Sequence, residues 1–487
     1  MKIKSLIKSL NIRQPLEIEE DFEVKGIACN SQGIKPGYLF VAIKGSKEDG
    51  NKFIQEAINN GAMAVVIEST AYALPSSEGV CFIVVDDTRR ALAKLAAEFY
   101  GHPCEKMKVI GITGTNGKTT VTYLLEEILK ASQIHPAVIG TINYRFKNKI
   151  IPAKNTTPGS LELQLLFFQM RQEEVEYVIM EVSSHALAQE RVEGVKFQSA
   201  IFTNLTQDHL DYHLTMEDYF QVKSRLFKDS SSSAIKIINN DDAFGRRIKE
   251  AILGKVITYG IENKSDYMAQ DLKLGIKVTE FTLLGPRGAE KFTTKLIGRH
   301  NVLNILAAVA WADQEGIDLQ TIKNAIEKFP GVPGRLERVN CVKDFVVYVD
   351  YAHTDDALKN VILSLRQVSS GKLIVVFGCG GERDKSKRPK MGKVVTELAD
   401  YAIITSDNPR SEDPDEIIKD ILRGVHKDNY CIIPDRYEAI KKALSMAKGG
   451  DIILIAGKGH ENYQIFKDRM IHFDDREVAA ECLNALS

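Results

Sequence analysis

Short apolar runs recur along the chain, and most of them are followed by a turn rich in glycine, aspartate or asparagine and then by a helical pattern. In the N-terminal part, the runs are YLFVAI, MAVVIE and CFIVVD, and the helical pattern is TRRALAKLAAEFY, which we predict to be capped by Thr88. Uninterrupted runs rich in β-branched residues are typical of strands buried on both faces of a parallel sheet. The pattern therefore predicts an α/β fold.

Two breaks divide this pattern into three predicted domains. The first break lies near residue 102, in YGHPCEK, and the second is the Gly/Pro-rich stretch GVPGRLE at residues 331–337. Strand-like runs alternate with helices between the breaks (MKVIGIT, AVIGTI, YVIMEVS, SAIFTNL, IKIINN) and after them (FVVYVDYA, KLIVVFGC, YAIITSDN, YCIIP, DIILIAG). We predict parallel sheets with ligands at the carboxyl ends of the strands. The predicted domains are residues 1–102, 103–333 and 334–487.

The composition narrows the classes of function. The chain has 64 Lys and Arg residues against 65 Asp and Glu, so its net charge of −1 gives no overall field for nucleic acid or an anionic membrane. Its seven cysteines are far apart and form no C-x-x-C pair, which argues against a disulfide framework or a zinc site. No apolar run approaches the roughly 18 residues of a membrane span, and MKIKSLIKSLNI is typical of a short amphipathic helix. We expect a soluble, cytoplasmic monomer without a nucleic-acid partner.

A glycine-rich turn joins an apolar run to a helical pattern in VIGITGTNGKTTVTYLLEEIL. We predict that the helix begins near Lys118, so that backbone N–H groups bind phosphate, Lys118 adds a positive charge and Thr119 offers a hydroxyl to Mg²⁺. The match to the phosphate-loop pattern is a variant, because Ile112 stands where the strict spacing has glycine. The alternative is a simple turn with a solvent-facing lysine. The candidate ATP-binding residues are Gly114, Thr115, Asn116, Gly117, Lys118, Thr119 and Thr120.

Acidic and imidazole side chains follow two further apolar runs. Glu181 ends the run YVIME. The run SAIFTNL is followed by Asp208, His209, Asp211 and His213. At the carboxyl edge of the sheet, such groups could hold Mg²⁺, although each alone is also typical of a helix cap or a structural hydrogen bond. Lys223, on a helix predicted to start near Thr215, is by composition alone a solvated lysine.

Nine strings together resemble the Mur ligases: TGTNGKTT, NTTPGSLELQ, EVSSHALAQERV, FTNLTQDHLDYH, GRLERV, VDYAHTDDAL, GCGGERDKSKRP, DNPRSEDP and AGKGHENYQ. They occur in the family's order and cover nearly the whole chain. The resemblance implies an N-terminal UDP-binding domain, a central P-loop ATPase with a parallel sheet, and a C-terminal Rossmann-like domain that binds an amino acid. It also implies the reaction: ATP phosphorylates a carboxylate, and an amine attacks the acyl phosphate.

The resemblance further implies the substrates, the cofactors and a modified lysine. We expect meso-diaminopimelate to be added to the D-glutamate γ-carboxylate of UDP-MurNAc-L-Ala-D-Glu, a step of peptidoglycan precursor synthesis. Lys118, Glu181, His209 and Lys223 match the family's catalytic positions. Two Mg²⁺ ions are expected, with Thr119 as a ligand of one. Carboxylated Lys223, whose carbamate derives from CO₂, would bind the other together with Glu181 and His209.

Further positions match the binding residues of the family. Asn301, Arg335 and Asp350 match contacts to the nucleotide. The positions that match contacts to UDP-MurNAc-dipeptide are Ser31, Asn155, Thr156, Thr157, Ser183, Gln189 and Arg191. Two positions depart from the family pattern in the UDP-binding domain, since Gln32 stands where relatives usually have arginine and Ser46 where some have histidine.

The string DNPR resembles the family's signature for diaminopimelate. The positions implied to bind this amino acid are Arg383, Asp407, Asn408, Pro409, Arg410, Gly457 and Glu461. Arg410 would bind the distal carboxylate through a forked pair of hydrogen bonds, and Glu461 would bind the ammonium of the same centre. The alternative is a surface ion pair between Arg410 and Glu412 or Asp413.

Three other functions stay open at this point. A ligase of the same type could take L-lysine. A folylpolyglutamate synthetase shares the ATPase core and also extends a γ-carboxylate, but would lack the UDP-binding block and DNPRSEDP. A nucleotide-dependent switch would hydrolyse ATP without an amino acid.

Overall fold

The computed structural model describes the chain except residues 14–17, 19, 46–47, 69–78, 342 and 486–487. The chain forms two compact units, one made of Met1–Lys118 and Ser132–Ile257, the other of Thr119–Ala131 and Thr258–Ser487. Ser46 lies outside the described residues. The boundaries of the three predicted domains stay a prediction.

The N-terminal part of the first unit contains a parallel sheet in the order β1-β2-β3-β4. Its strands are β1 Gly26–Ala28, β2 Tyr38–Val41, β3 Ala62–Ile67 and β4 Cys81–Val84, and its helices are α1 Ile3–Leu6, α2 Ile54–Asn59 and α3 Thr88–Phe99. The predicted N-terminal helix is present as α1 and a following 3₁₀ turn. Ile3 and Leu6 of this helix pack with Leu95 of α3 in the core beneath the sheet.

The cap predicted for α3 is wrong by one residue. The carboxylate of Asp87, not Thr88, accepts hydrogen bonds from the backbone N–H groups of Arg89 and Arg90 at 2.8 and 2.9 Å. Thr88 instead donates its backbone N–H and its hydroxyl to Glu68. Either side chain can cap a helix, and a contact distant in sequence decides which of them does.

The next segment of the chain contains seven strands in the order β11-β10-β5-β9-β6-β7-β8. Its strands are β5 Lys108–Thr113, β6 Ala137–Ile139, β7 Asn143–Phe146, β8 Lys149–Pro152, β9 Tyr177–Glu181, β10 Phe197–Phe202 and β11 Ile235–Asn239. Its helices are α4 Lys118–Ala131, α5 Ser160–Gln172, α6 Ser184–Ala188, α7 Leu210–His213, α8 Met216–Lys228 and α9 Ala243–Ala251. The pairs from β11 to β6 are parallel, as predicted, and β6-β7-β8 form an antiparallel extension.

The next region begins with β12, which spans the boundary between the two units and pairs parallel with β13; its other elements belong to the second unit. The elements here are β12 Val256–Gly260, β13 Tyr267–Leu274, β14 Thr279–Gly285, β15 Gly288–Thr294, α10 Arg299–Gln314 and α11 Leu319–Lys328. β13, β14 and β15 form a meander in which buried residues alternate with exposed ones. This alternation is typical of a sheet with one face in water, and the apolar runs did not predict these strands.

The C-terminal segment contains a six-stranded sheet in the order β16-β17-β21-β18-β19-β20. Its strands are β16 Glu337–Val339, β17 Val346–Asp350, β18 Leu373–Phe377, β19 Tyr401–Ile404, β20 Tyr430–Ile432 and β21 Ile452–Ala456, followed by the hairpin β22 Tyr463–Ile465 and β23 Met470–His472. Its helices are α12 Asp355–Arg366, α13 Lys387–Leu398, α14 Pro414–Leu422, α15 Arg436–Met446 and α16 Asp475–Ala485. All pairs in the six-stranded sheet except β16-β17 are parallel.

Two apolar cores cover the two faces of this C-terminal sheet. Val375 of β18 belongs to one core, whereas its neighbours Ile374 and Val376 belong to the other. Because successive side chains of a strand point to opposite faces, all five residues of β18 are buried. The loops at the carboxyl ends of the strands carry the polar residues of the predicted amino-acid site. No helix among the described residues is long and apolar enough to cross a membrane.

Candidate active site

The glycine-rich turn lies between β5 and α4, as predicted. Gly114 has a φ of +148° and Gly117 a φ of +87°, a region that favours glycine. A Cβ atom on Gly114 would lie 1.9 Å from Thr203 Oγ1, so the position has no room for a side chain. Lys118 is half-buried and donates to the carbonyl oxygens of Gly114 and Thr115 at 2.8 and 2.9 Å. The lysine therefore lies over the loop instead of extending into solvent.

The residues that follow β10 hold the loop in place. Asn204 accepts hydrogen bonds from the backbone N–H groups of Thr115 and Asn116, at 2.8 Å on its carbonyl and 3.0 Å on its side chain. The hydroxyl of Thr203 donates to Asn116 O at 2.6 Å. Sequence reasoning assigned no role to this Thr-Asn pair, although it stands in the matched string FTNLTQDHLDYH.

Lys223 is buried, with 1% of its surface exposed. The helix predicted to start near Thr215 is α8, and Thr215 is its cap. This helix directs Lys223 Nζ onto Gly114 O at 2.9 Å and over the ring of Tyr219 at 4.8 Å. Burial lowers the pKa of Lys223 well below its usual value, and the Lys118 ammonium lowers it further. The interpretation as a solvated lysine is wrong.

Glu181 is the last residue of β9 and pairs in register with Ile112 of β5. Its carboxylate is buried and accepts hydrogen bonds from the backbone N–H and the hydroxyl of Thr141, both at 3.0 Å. Glu181 thus has the structural hydrogen bonds that the alternative interpretation described. These bonds also fix the carboxylate at the carboxyl edge of the sheet, next to the strand that leads into the glycine-rich turn.

His209 lies at the start of α7 with a φ of +52° and a half-exposed ring. The ring packs edge-on against His185 at 4.8 Å and lies 6.4 Å from Tyr219, whose ring also lies 4.8 Å from Lys223 Nζ. The buried His213 contacts Ser184 Oγ at 2.9 Å instead. Among the described residues, no three His, Cys, Asp or Glu side chains are grouped to hold a metal ion. The predicted Mg²⁺ ligands stay a prediction.

Several candidate residues for the dipeptide substrate meet near the end of β9. Thr157 Oγ1 donates to Glu181 O at 2.8 Å and accepts from the backbone N–H of Ser183 at 3.0 Å. Arg191 donates to Thr157 O at 2.9 Å and to Gln189 Oε1 at 2.8 and 3.2 Å. These four residues, Thr157, Ser183, Gln189 and Arg191, therefore form one polar cluster.

The remaining candidates for this substrate lie outside that hydrogen-bonded cluster. Asn155 O accepts from Tyr144 OH at 2.6 Å, and the hydroxyl groups of Thr156 and Thr141 are 3.1 Å apart. Because Thr141 also donates to Glu181, Thr156 is linked to the carboxylate through a single residue. Ser31 is buried in a turn of the N-terminal sheet region and joins neither group through a hydrogen bond in the described part of the chain.

In the second unit, two of the three nucleotide candidates are adjacent. The buried carboxylate of Asp350 accepts from the backbone N–H groups of Leu336 and Ala352 at 2.7 and 2.8 Å, and burial raises its pKa. The guanidinium of Arg335 lies 4.9 Å from the ring centre of Tyr351. Asn301 is buried on α10 and donates to Ile297 O at 2.9 Å.

Arg410 belongs to a loop after β19 and has a φ of +53°. Its Nη1 donates to Gly381 O at 2.8 Å, and its backbone N–H donates to Ile465 O at 3.0 Å. In the described residues Arg410 forms no ion pair with Glu412 or Asp413, because Glu412 pairs with Arg388 and Asp413 caps α14. The alternative of a surface ion pair is therefore wrong.

The other amino-acid candidates surround Arg410. Asn408 donates to Glu461 Oε2 at 2.9 Å and accepts from the backbone N–H of Ile465 at 3.0 Å. Gly457 has a φ of +120°, and a Cβ atom there would lie 2.6 Å from Asp407 Oδ2. Both features require glycine, and they place Asp407 directly against the turn after β21.

Tyr463 and Glu461 are the groups on which the nearby arginine charges act. Burial raises the pKa of Tyr463, while the charges of Arg410 and Arg383 both act to lower it. Burial likewise raises the pKa of Glu461, and the charge of Arg410 opposes this shift. The two arginines and Glu461 therefore act on the same small region.

Sequence reasoning missed two buried cations beside this cluster. Lys458 is fully buried and donates to Asn408 Oδ1 at 3.1 Å. Arg436 is fully buried, pairs with Asp475 at 2.7 Å through two nitrogens and donates to Ala456 O at 3.0 Å. The signal for Lys458 was its position between Gly457 and Gly459 in AGKGHENYQ. Arg436 had no signal, because Asp475 and Ala456 are distant in sequence.

Three family models match successive parts of the chain: "Mur ligase family, catalytic domain" at residues 23–100, "Mur ligase middle domain" at 112–312, and "Mur ligase, glutamate ligase domain" at 334–459. The UDP-N-acetylmuramoyl-L-alanyl-D-glutamate--2,6-diaminopimelate ligase of Clostridium botulinum is 46% identical over 488 residues, which is 100% of both chains. The enzyme of the same name from Caldanaerobacter subterraneus is 45% identical over 99% of both chains.

Solved structures of related enzymes also match this chain. A structure of a ligase with that name matches with a TM-score of 0.73 and 33% identity, covering 100% of this chain and 99% of the other. A folylpolyglutamate synthase of Mycobacterium tuberculosis matches with a TM-score of 0.62 at 16% identity over 82% of this chain and 94% of the other, which shows a shared fold alone. The three matched domains and the full-length identity confirm the predicted three-domain α/β architecture, and the chain belongs to the Mur ligase family.

Proposed function

We propose that this protein is an ATP-dependent ligase that joins meso-diaminopimelate to the D-glutamate γ-carboxylate of UDP-MurNAc-L-Ala-D-Glu, in peptidoglycan precursor synthesis. The observation that carries the proposal is the 46% identity over the full chain to a ligase whose name states these substrates. The cluster of Arg410, Asn408 and Glu461 supports it, because it offers separate partners for a carboxylate and an ammonium.

In this proposal the glycine-rich turn binds the phosphates of ATP. The backbone N–H groups from Gly114 to Lys118 and the start of α4 favour an anion. Lys118 would exchange the carbonyl oxygens of Gly114 and Thr115 for phosphate oxygens, since an anion binds an ammonium group more strongly than a neutral carbonyl does. Asn301, Arg335 and Asp350 are proposed to contact the nucleoside.

The chemistry of the donor set fits the two expected Mg²⁺ ions. The Thr119 hydroxyl, the Glu181 carboxylate and the His209 imidazole are acceptable ligands, and Mg²⁺ prefers oxygen. When bound, the ions offset negative charge on the transferring phosphoryl group. Lys223 fits only after carboxylation, because an ammonium group repels a cation.

Lys223 has the environment that carboxylation needs. CO₂ adds to a neutral amine, and burial beside Lys118 disfavours the ammonium form. Addition forms a bond between Nζ and the carbon of CO₂ and releases a proton, leaving a carbamate with one negative charge. The carbamate would then place a negative charge near the Lys118 ammonium, which donates to the same Gly114 O as Lys223.

The proposed ligation has two chemical steps. A γ-carboxylate oxygen attacks the γ-phosphorus of ATP, ADP leaves, and the carboxylate becomes an acyl phosphate. The neutral amine of the amino acid then attacks the carbonyl carbon, the C–O bond to phosphate breaks, and the amine loses a proton. Arg191, with Thr157 and Ser183, is proposed to hold the dipeptide during these steps, because a guanidinium can bind a carboxylate with two hydrogen bonds.

Arg410 is proposed to select the amino acid. Lysine has no distal carboxylate, so its binding would leave the guanidinium without an anionic partner, at a cost of about 2 kcal/mol or more. We also propose that the protein acts in the cytoplasm as a monomer. Its substrates would be the three small molecules alone, without nucleic acid.

Mass spectrometry of the product tests the proposal. Purified protein with ATP, Mg²⁺, UDP-MurNAc-L-Ala-D-Glu and meso-diaminopimelate is expected to convert the dipeptide substrate to a product heavier by one diaminopimelate less one water. The product should be absent without ATP. A product formed equally well with L-lysine would retain the ligase and reject the specificity. ATP hydrolysis without any ligated product would reject the ligase.

A further inference from the structure

Lys458 is a buried cation between two acids of the amino-acid cluster. Its side chain is fully buried, and its Nζ lies 3.9 Å from Asp407 Oδ1 and 3.6 Å from Glu461 Oε2. Its hydrogen bond goes to the neutral Asn408 Oδ1 at 3.1 Å. Lys458 therefore balances charge on both acids without being hydrogen-bonded to either of them.

The two acids retain the capacity to accept hydrogen bonds. The Asp407 side chain is 91% buried, and its carboxylate accepts no hydrogen bond from the described residues. Glu461 accepts one, from Asn408. A buried carboxylate with so few donors is costly unless a cation joins it. The geometry thus leaves both acids available to an ammonium group supplied by a ligand.

The charges of the cluster match one end of a zwitterionic amino acid. Lys458, Asp407 and Glu461 together carry one net negative charge, which matches one ammonium. The neighbouring Arg436 is already neutralised by Asp475. Arg410 adds one positive charge, which matches one carboxylate. Without Lys458, two buried acids would repel each other, and one of them would take up a proton and stop acting as an ionised partner.

We propose that Lys458 is a positioning residue that keeps Asp407 and Glu461 ionised together, so that both acids bind the ammonium at the distal centre of the amino-acid substrate. This inference rests on the proposed function. It adds a third charge to the predicted pair of Arg410 and Glu461 and assigns a role to the lysine of the AGKGHE string.

The test compares two neutral replacements of Lys458. Lys458→Met keeps most of the volume, and Lys458→Gln keeps an N–H donor for Asn408 Oδ1. Since the charge is what matters, both variants should raise KM for meso-diaminopimelate about tenfold or more, with kcat reduced much less. KM for ATP and for UDP-MurNAc-L-Ala-D-Glu should not change. A normal KM for diaminopimelate in Lys458→Gln would overturn the charge argument.

The matched control is Lys236→Met. Lys236 is also a buried lysine, but it donates to the loop carbonyls of Ser231 and Leu253, outside the amino-acid cluster. Its replacement should leave all three KM values unchanged even if it lowers the melting temperature. An equal rise in KM for diaminopimelate in this control would show that loss of any buried lysine suffices, and would overturn the inference.

A double variant covers the case in which Lys458→Met does not fold. In a Glu461→Gln background, Lys458→Met removes one acid with the base, so the local charge stays balanced. The double variant should then have a KM for diaminopimelate close to that of Glu461→Gln alone. A KM about tenfold or more above that of Glu461→Gln would reject the proposed coupling. Wild-type protein without diaminopimelate-dependent turnover would reject the proposed function itself, which distinguishes the two failures.

Discussion

Arg388 holds Glu412 in a two-pronged ion pair, in which Nη1 and Nη2 each lie 3.0 Å from a different carboxylate oxygen. Glu412 is two residues beyond Arg410, yet its carboxylate pairs with Arg388, which is 24 positions earlier in the chain. The pair also joins two loops, because Arg388 donates to Gly380 O and Glu412 accepts from the backbone N–H of Glu382. Arg410 is thereby left to face the amino-acid cluster.

Glu412→Gln should make the protein less stable at neutral pH. The Arg388 guanidinium lowers the pKa of Glu412 from 4.5 to about 2, so the folded state favours the ionised form. For a lowered pKa, the stabilisation is complete above pH 4.5 and disappears as the pH falls towards 2. We expect a loss of about 2 kcal/mol, allowing for solvent screening of a partly exposed carboxylate.

Thermal unfolding of the wild type and Glu412→Gln at a series of pH values measures this effect. The two melting temperatures should differ at pH 7 and converge as the pH approaches 2. A difference that persists unchanged at low pH would contradict the role of the charge. Glu416→Gln serves as a control, because the ion pair of Glu416 in the described part of the chain is with the exposed Lys419 on the surface of α14.

Asp475→Asn should destabilise the second unit strongly. Arg436 and Asp475 are both fully buried, and Arg436 also donates to Ser406 O and Ala456 O, at the ends of β19 and β21. Removal of one partner leaves a buried charge unpaired, at a cost of about 3–5 kcal/mol. The double variant Arg436→Met/Asp475→Leu should be more stable than Asp475→Asn in denaturant unfolding. A double variant that is the less stable of the two would contradict this explanation.

Lys223→Met should abolish ligation without unfolding the protein. Methionine fills a similar volume but can form no carbamate, and the buried position tolerates an apolar side chain. Ligation rate and melting temperature are the two measurements. Lys236→Met is again the matched control for loss of a buried lysine. Near-normal turnover of Lys223→Met would exclude a role for the carbamate.

Arg410→Lys should weaken the use of meso-diaminopimelate specifically. A lysine ammonium is a point charge and cannot form the forked pair of hydrogen bonds with a carboxylate. We expect kcat/KM for diaminopimelate to fall about a hundredfold, while KM for ATP stays the same. Steady-state kinetics with each substrate varied in turn provide the test. Unchanged constants for diaminopimelate would remove Arg410 from the site.

The sequence was sufficient to predict features that depend on neighbouring residues. The buried strands β5, β9, β10, β17, β18, β19 and β21 follow from uninterrupted apolar runs, and the start of α4 at Lys118 follows from the glycines before it. The strands β13–β15 were missed because their alternating polar residues gave no apolar run.

Features that depend on the tertiary fold were harder to predict. Because lysine is usually exposed, composition alone predicted that Lys223 faces solvent. Only the resemblance to a family identified it as a site residue. The burial of Lys458 and Arg436 and the pairing of Glu412 with Arg388 arise between distant segments, and so does the choice of Asp87 as the cap of α3. Local propensities carry no information on such contacts.

The most direct test of the central claim is the rate of phosphate release from ATP in the presence of UDP-MurNAc-L-Ala-D-Glu, with meso-diaminopimelate or L-lysine at equal concentration. We predict that release requires the dipeptide substrate and is much faster with diaminopimelate, because Arg410 then binds a carboxylate. Equal rates with lysine would contradict the proposed specificity. Release that needs neither the dipeptide nor an amino acid would contradict the ligase.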